Sequence, residues 1–81
     1  MEVGNFHLKD RNYRGAELRF RDALQYKPED PEATYKLALS LDGLHRKHEA
    51  REAYEAYLKL APEGPFATEA KKAVKNLQTK H

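Results

Sequence analysis

Few side chains in this 81-residue chain have both the type and the spacing that catalysis or metal binding requires. His45 and His48 lie three residues apart and could share a metal ion, but the chain has no cysteine, and no recognised carboxylate pattern completes a ligand set. Ser40 is the only serine and has no base at a catalytic spacing. We therefore predict a protein that is not an enzyme and has neither a metal nor a cofactor, and we expect the two histidines to lie in a solvated turn.

The charge balance argues against nucleic acid as a partner. The 15 Lys and Arg residues against 13 Asp and Glu residues give a formal net charge of +2 with the signs interleaved, whereas nucleic-acid domains are strongly basic. A lysine stripe near the C-terminus could contact phosphate or an acidic partner, but such a stripe is more commonly a solvated helix face. Its members are Lys71, Lys72, Lys75 and Lys80.

Hydropathy predicts neither a membrane span nor a signal peptide. No apolar run approaches the roughly 20 residues that cross a bilayer. Met1 leads directly into polar residues, which is unlike the start of a secretory signal.

The chain repeats itself with an offset of 34 residues. Prolines, small residues and aromatic residues all recur at this single offset, which is harder to attribute to chance than matching prolines alone. The matching pairs include Pro28 with Pro62, Pro31 with Pro65, Ala16 with Ala50, Phe20 with Tyr54, Leu24 with Leu58, and Gly4 with Ala38. A period of this length indicates stacked structural units.

Within each unit, apolar residues recur at three- and four-residue steps, which places them on one helix face. Asp30-Pro31 predicts an N-cap followed by proline at the first helical position, and Gly64-Pro65 repeats that arrangement. The pair Arg11-Asn12 predicts a polar turn, with the asparagine capping the next helix. The sequence thus predicts an all-α fold of five helices: Met1–Asp10, Tyr13–Tyr26, Pro31–Leu44, Lys47–Leu60 and Pro65–Gln78.

These features resemble the tetratricopeptide repeat family, whose pattern runs W-x2-L-G-x2-Y, then A-x3-F, then P. Val3-Gly4 and His7 stand at the first positions in unit one, and Leu37-Ala38 stands there in unit two. The later positions hold Ala16-x3-Phe20 with Pro28, and Ala50-x3-Tyr54 with Pro62. The resemblance implies a single domain, 1–81, built as an α-solenoid of antiparallel helix hairpins. Its parts are repeat one at about 1–30 with a truncated first helix, repeat two at 31–64, and a capping helix at 65–78.

Two features of this pattern concern the ends of the array. Tyr57 replaces the small residue that matches Ala23, which enlarges the contact with the next helix and fits a terminal repeat packed on a cap. Two repeats are fewer than the roughly three that such arrays usually need. We therefore expect either a fragment of a longer array or pairing with another copy.

In this family the first helix of each unit usually lines a concave groove, so the resemblance implies a binding surface for a peptide or partner helix. The candidate groove residues are Asn5, Leu8, Lys9, Tyr35, Lys36, Leu39 and Asp42. We expect Tyr35 and Leu39 on the side of their helix that does not pack into the core of the helix hairpin. Contact with a partner is slightly favoured for Tyr35, and packing against a neighbouring helix is the alternative for Leu39.

Some family members grip the C-terminal carboxylate of a partner with lysine, arginine and asparagine side chains. Asn5 stands at a matching asparagine position and Lys36 lies near a matching basic one, but Met1 stands where a lysine is expected, so this clamp is incomplete.

We therefore predict a protein–protein interaction scaffold that binds a peptide or partner helix in the groove. The alternative is a structural or self-association module of a longer array, with homo-oligomers forming through exposed repeat ends. The stretch 54–77 is similar to final repeats of bacterial array proteins from the cytoplasm and the cell envelope, and it does not choose between these compartments.

Overall fold

The computed structural model describes residues 2–78, with side chains described for residues 13–77. Over this range every regular element is an α-helix: α1 (Glu2–Tyr26), α2 (Pro31–Gly43), α3 (Lys47–Leu60) and α4 (Ala67–Gln78). Each helix packs on the next one in chain order, and the connections are short enough to make neighbouring helices antiparallel. The predicted all-α class is therefore confirmed.

The prediction of five helices is wrong, because the first two predicted helices form one continuous helix. α1 runs through the Arg11-Asn12 pair, at which the sequence predicts a turn. Neither residue is proline or glycine, so nothing in the pair removes a backbone donor or favours a left-handed conformation. The helical hydrogen bonds therefore continue, and the two helices predicted for repeat one do not fold into a hairpin.

The start of α2 agrees with its prediction. Asp30 has an extended backbone, and its carboxylate accepts hydrogen bonds from the N–H groups of Glu32 at 3.1 Å and Ala33 at 3.4 Å. These bonds satisfy two of the backbone donors that a helix leaves free at its N-terminus. Pro31 occupies the first helical position, where its missing N–H costs nothing.

α4 begins two residues later than predicted, at Ala67 rather than Pro65. Glycine has no side chain with which to cap, so Gly64 cannot act as Asp30 does. The Ala67 N–H donates to the Gly64 carbonyl at 3.1 Å, which closes a tight turn before the helix.

A left-handed residue connects α2 to α3. His45 has a φ of 66°, and its N–H donates to the Asp42 carbonyl at 3.0 Å. The Arg46 N–H donates to the Leu41 carbonyl at 2.9 Å. These two bonds form the Schellman arrangement that satisfies the last carbonyls of a helix, with histidine at the position usually held by glycine.

Small residues allow α2, α3 and α4 to approach one another closely. Ala38, Ala50 and Ala70 are completely buried, with 0% exposure. Large side chains fill the remaining space, because Leu41 and Tyr54 are each only 2% exposed. Small and large side chains thus complement each other in the core.

Candidate functional site

The candidate site is built on the exposed side of α2. Glu32, Lys36 and Leu39 follow one another at four- and three-residue steps, so they share one face of the helix. We call these three residues the α2 stripe. Leu39 is a large apolar side chain with 41% exposure, and the Lys36 Nζ lies 3.7 Å from the Glu32 carboxylate. The α2 stripe thus combines one exposed leucine with a solvated, nearly neutral ion pair.

Tyr35 does not lie on that surface, and the prediction that it faces away from the core is wrong. It is 7% exposed and packs among Tyr54, Tyr57 and Phe66. Its ring stacks on Phe66 with centroids 4.4 Å apart and planes 1° apart. Phe66 lies in the turn before α4, so this turn supplies the surface that covers Tyr35. Burial raises the pKa of the Tyr35 hydroxyl, and the negative charge of Glu69 raises it further.

Asp42 links α2 to α3 through a hydrogen bond. The Tyr54 hydroxyl donates to the Asp42 carboxylate at 3.1 Å. Burial raises the pKa of Tyr54 well above its ordinary value, and the negative charge of Asp42 adds to this effect. The carboxylate is only half-buried, so it also borders solvent at the C-terminal end of α2.

A cleft lies where the start of α2, the end of α3 and the turn before α4 meet. We call it the α2–α4 cleft; its volume is about 340 Å³. Its walls are mostly apolar, and Glu32 of the α2 stripe stands on its rim. The lining residues are Pro31, Glu32, Tyr57, Ala61, Pro65 and Phe66. A cleft of this size is at the lower end of the range that small ligands and single side chains occupy.

The floor of the α2–α4 cleft is fixed by one side chain. The Tyr57 hydroxyl accepts a hydrogen bond from the Phe66 backbone N–H at 3.0 Å, and Tyr57 itself is 1% exposed. Tyr57 thus contacts the turn before α4, and its predicted packing against a capping helix remains a prediction. Sequence reasoning missed the cleft, although Pro31 and Pro65, which recur at the repeat offset, both line it.

The remaining predicted groove residues belong to α1. Asn5, Leu8 and Lys9 lie in its N-terminal part, where side chains are outside the described residues. The structure therefore brings Lys36 and Leu39 together on the α2 stripe and places Asp42 one turn beyond Leu39.

A charged cluster between α1 and α3 was not predicted. Glu17 is 7% exposed and accepts hydrogen bonds from Arg46 Nη1 at 2.9 Å and Arg21 Nε at 2.9 Å. Both arginines also form ion pairs with Glu49, at 3.5 Å from Arg21 and 3.3 Å from Arg46. One feature of the sequence could have indicated this cluster: Glu17 is a charged residue on the apolar face of α1, beside Phe20.

The other side chains with chemical potential do not assemble into a site. His48 lies 3.3 Å from Glu52 in a surface pair, and no group of three or more metal-ligating side chains converges within the described residues. Lys71, Lys72 and Lys75 are exposed on α4, and Lys80 lies outside the described residues. Within the described residues, no helix is both long and apolar enough to cross a membrane.

The stacked helices and their 34-residue register define a helical repeat protein of the hairpin type. A sequence model of the tetratricopeptide repeat matches residues 4–65, more than half of the chain, and the chain therefore belongs to that family. No curated protein and no solved structure matches it. Tetratricopeptide repeats generally mediate protein–protein interactions, typically as scaffolds without catalysis.

Proposed function

We propose that this chain binds a peptide segment of a partner protein and performs no chemistry of its own. The segment lies along the α2 stripe and places one side chain in the α2–α4 cleft. The proposal depends on one observation, that the exposed Leu39 and the apolar cleft are joined along a single face of α2 through Glu32.

The separation of the two apolar contacts suggests the form of the peptide. Glu32 at the rim of the cleft and Leu39 are seven residues apart, which is about 10 Å along a helix. A polyproline II segment advances about 3.1 Å per residue and turns once every three residues. Two apolar side chains at positions i and i+3 of such a segment would point the same way and match this distance.

The charges along the α2 stripe and at Asp42 set a weaker preference for the residues of the bound peptide. Glu32 and Lys36 neutralise each other in the free protein, and Asp42 adds a half-buried carboxylate beyond Leu39. A basic residue on the partner next to the apolar side chain that contacts Leu39 would pair with Asp42. Such a rim contact affects the choice of partner and the association rate more than the affinity.

Short synthetic peptides test the proposal. One set has apolar residues three apart in a proline-rich background, and a second set has them seven apart, as a helical ligand requires. We expect the first set to bind and to shift the NMR signals of Leu39, Ala61 and Phe66.

Two matched leucine variants complete the test. Leu39→Asp should lose binding, whereas Leu18→Asp, which changes an exposed leucine on α1 away from the α2 stripe, should bind like the wild type. Equal binding by both variants, or signal shifts confined to another surface, would contradict the site. Preference for the second set would indicate a helical ligand in place of an extended one.

The second candidate function is self-association without a peptide ligand. It is favoured by the exposure of two large side chains on α1, Leu18 at 66% and Tyr26 at 85%. For this function the Leu39→Asp variant would keep every interaction, and changes on α1 would alter the molecular mass.

A further inference from the structure

One exposed row of side chains on α1 is organised as a packing ridge. Arg14, Leu18, Asp22 and Tyr26 follow one another at four-residue steps, and all four are exposed. We call this row the α1 ridge. Rows at this spacing are the ridges that interdigitate in the most common class of helix packing, in which the same row of both helices meets.

The charges of the α1 ridge are unpaired within the described part of the chain. Arg14 and Asp22 have no ion-pair partner among residues 13–77, whereas the neighbouring Arg21 pairs with Glu17 and Glu49. Two opposite charges flanking an exposed leucine are therefore available for contacts outside the chain.

The equivalent row one repeat later has a different character. At the 34-residue offset, Leu18 corresponds to Glu52 on α3, and Arg14 corresponds to His48. These two α3 residues face each other, with the His48 Nε2 atom 3.3 Å from the Glu52 carboxylate. The combination of an exposed leucine and unpaired charges thus belongs to α1 and is not a general property of the repeat.

We infer that the α1 ridge binds the same ridge of a second copy of this chain, with the two helices antiparallel. The two-fold axis passes near Leu18, so the two leucines contact each other. Arg14 precedes Leu18 by four residues and Asp22 follows it by four, so each Arg14 meets the partner's Asp22. An isologous contact of this kind makes both ion pairs at once and closes as a dimer.

Charge also disfavours a head-to-tail assembly, in which α4 of one copy stacks on α1 of the next. The exposed surface of α4 carries Lys71, Lys72 and Lys75 beside Glu69, and the exposed surface of α1 carries Arg14 and Arg19 beside Asp22, so the named basic residues outnumber the acidic ones on both. Placing these surfaces together sets like charges against each other, which is costly. The two-fold arrangement pairs opposite charges and leaves the lysines in solvent.

This interface rests on the second candidate function, self-association, and gives it a location. Sedimentation over a range of concentrations measures whether the mass rises from the 9.4 kDa monomer to twice that value. We expect the wild type to dimerise and Leu18→Asp to stay monomeric, with an unchanged circular dichroism spectrum because Leu18 is exposed. A wild type that stays monomeric at every concentration would overturn both the interface and self-association.

Cysteine cross-linking then locates the interface, since the natural chain contains no cysteine. Leu18→Cys should form a disulfide-linked dimer under mild oxidation because the two residues meet at the axis. Glu52→Cys, the equivalent position one repeat later, is the control and should form no disulfide-linked dimer, because Glu52 lies outside the α1 ridge. Dimerisation of the wild type without a Leu18→Cys cross-link would overturn the α1 interface and leave self-association standing.

Charge reversal tests the predicted pairing. Arg14→Asp alone and Asp22→Arg alone should each raise the dimer dissociation constant about tenfold. The double variant restores opposite charges across the axis and should return the constant towards the wild-type value. Additive weakening in the double variant would contradict the antiparallel register.

Discussion

The ring of Tyr35 on α2 lies parallel to the ring of Phe66, with centroids 4.4 Å apart and planes 1° apart. Tyr54 and Tyr57 of α3 pack against the same tyrosine, with ring centroids 5.9 Å and 5.4 Å away. One side chain of α2 thus contacts both helices that follow it in the chain. The arrangement makes the position of the turn before α4 dependent on the packing between α2 and α3.

The Tyr35–Phe66 pair should show a measurable coupling energy. Phe66→Ala should lower the free energy of unfolding by about 3 kcal/mol, because a largely buried ring is lost. Combined with Tyr35→Ala in a double-mutant cycle, the coupling should be about 0.5–1.5 kcal/mol. Urea unfolding followed by circular dichroism measures both quantities.

The matched control for this cycle replaces Phe66→Ala with Phe20→Ala, which removes a partly buried phenylalanine of α1. Coupling between Tyr35 and Phe20 should be close to zero. A coupling as large as that of the Tyr35–Phe66 pair would mean that general loosening of the core, and not ring contact, explains the effect.

Stability should fall in alkaline solution. The pKa values of Tyr35 and Tyr54 are both raised from an ordinary value of 10.0, so the folded chain holds these protons more tightly than the unfolded chain does. Their contribution to stability is fully present below pH 10.0 and is lost as the pH rises above it, because the unfolded chain ionises first. Urea unfolding at a series of alkaline pH values measures the slope.

The Tyr54→Phe variant separates this effect from general alkaline damage. It removes the hydroxyl that donates to Asp42 and should cost about 1 kcal/mol near neutral pH. Its stability should then fall less steeply above pH 10.0 than that of the wild type. An identical slope in the variant would show that Tyr54 does not contribute to the alkaline transition.

Replacing His45 with glycine should stabilise the protein. The φ of 66° at His45 is costly for a side chain with a Cβ atom and free for glycine. We expect His45→Gly to raise the free energy of unfolding by about 1 kcal/mol. His48→Gly, three residues later inside the first turn of α3, should instead lower it, since glycine is a poor helix former. Thermal unfolding of both variants measures these changes in stability. If both variants are stabilised, the positive φ at His45 does not explain the gain.

The hydrogen bonds between Arg46 and Glu17 should matter more than an ordinary surface pair. Arg46→Ala removes donors at 2.9 Å and 3.1 Å from a buried carboxylate and should cost about 1.5–3 kcal/mol. Arg51→Ala is the control, because Arg51 lies 3.9 Å from Glu55, beyond hydrogen-bond distance, and its loss should cost less than about 1 kcal/mol. If urea unfolding shows that both variants lose the same stability, the Glu17 cluster contributes no more than a solvated ion pair.

Local sequence signals were sufficient to predict the helix bounds where neighbouring residues determine the backbone conformation. Asp30-Pro31 predicted the start of α2, because a capping carboxylate and a proline at the first position act within three residues. The bounds of α3 at Lys47 and Leu60 also agree with the sequence pattern, although Arg46 at its N-cap position makes no side-chain capping hydrogen bond. The buried alanines at 38 and 50 followed from repeat spacing alone.

Tertiary contacts decided the features that sequence reasoning missed. Tyr35 lies off the Leu37–Leu41 face of α2, and this position predicts contact with a partner in the groove, but Phe66, from a turn 31 residues away, covers it. The Arg11-Asn12 turn depended on polar residues alone, and such residues are compatible with a helix as well as with a turn. Among the site residues, the α2 stripe was partly predicted, whereas the α2–α4 cleft required the packing of three elements.

The hydroxyl of Tyr57 has a consequence for engineering arrays from this chain. A Cβ atom at Gly64 would stand 2.8 Å from the Ala61 Cβ and would also crowd the Tyr57 hydroxyl, so position 64 tolerates no side chain while that tyrosine is present. Unit one has the reverse combination, alanine at 23 and aspartate at 30. The two units are therefore not interchangeable modules, and a longer array made by copying 31–64 head to tail would lose the capping carboxylate at every new junction.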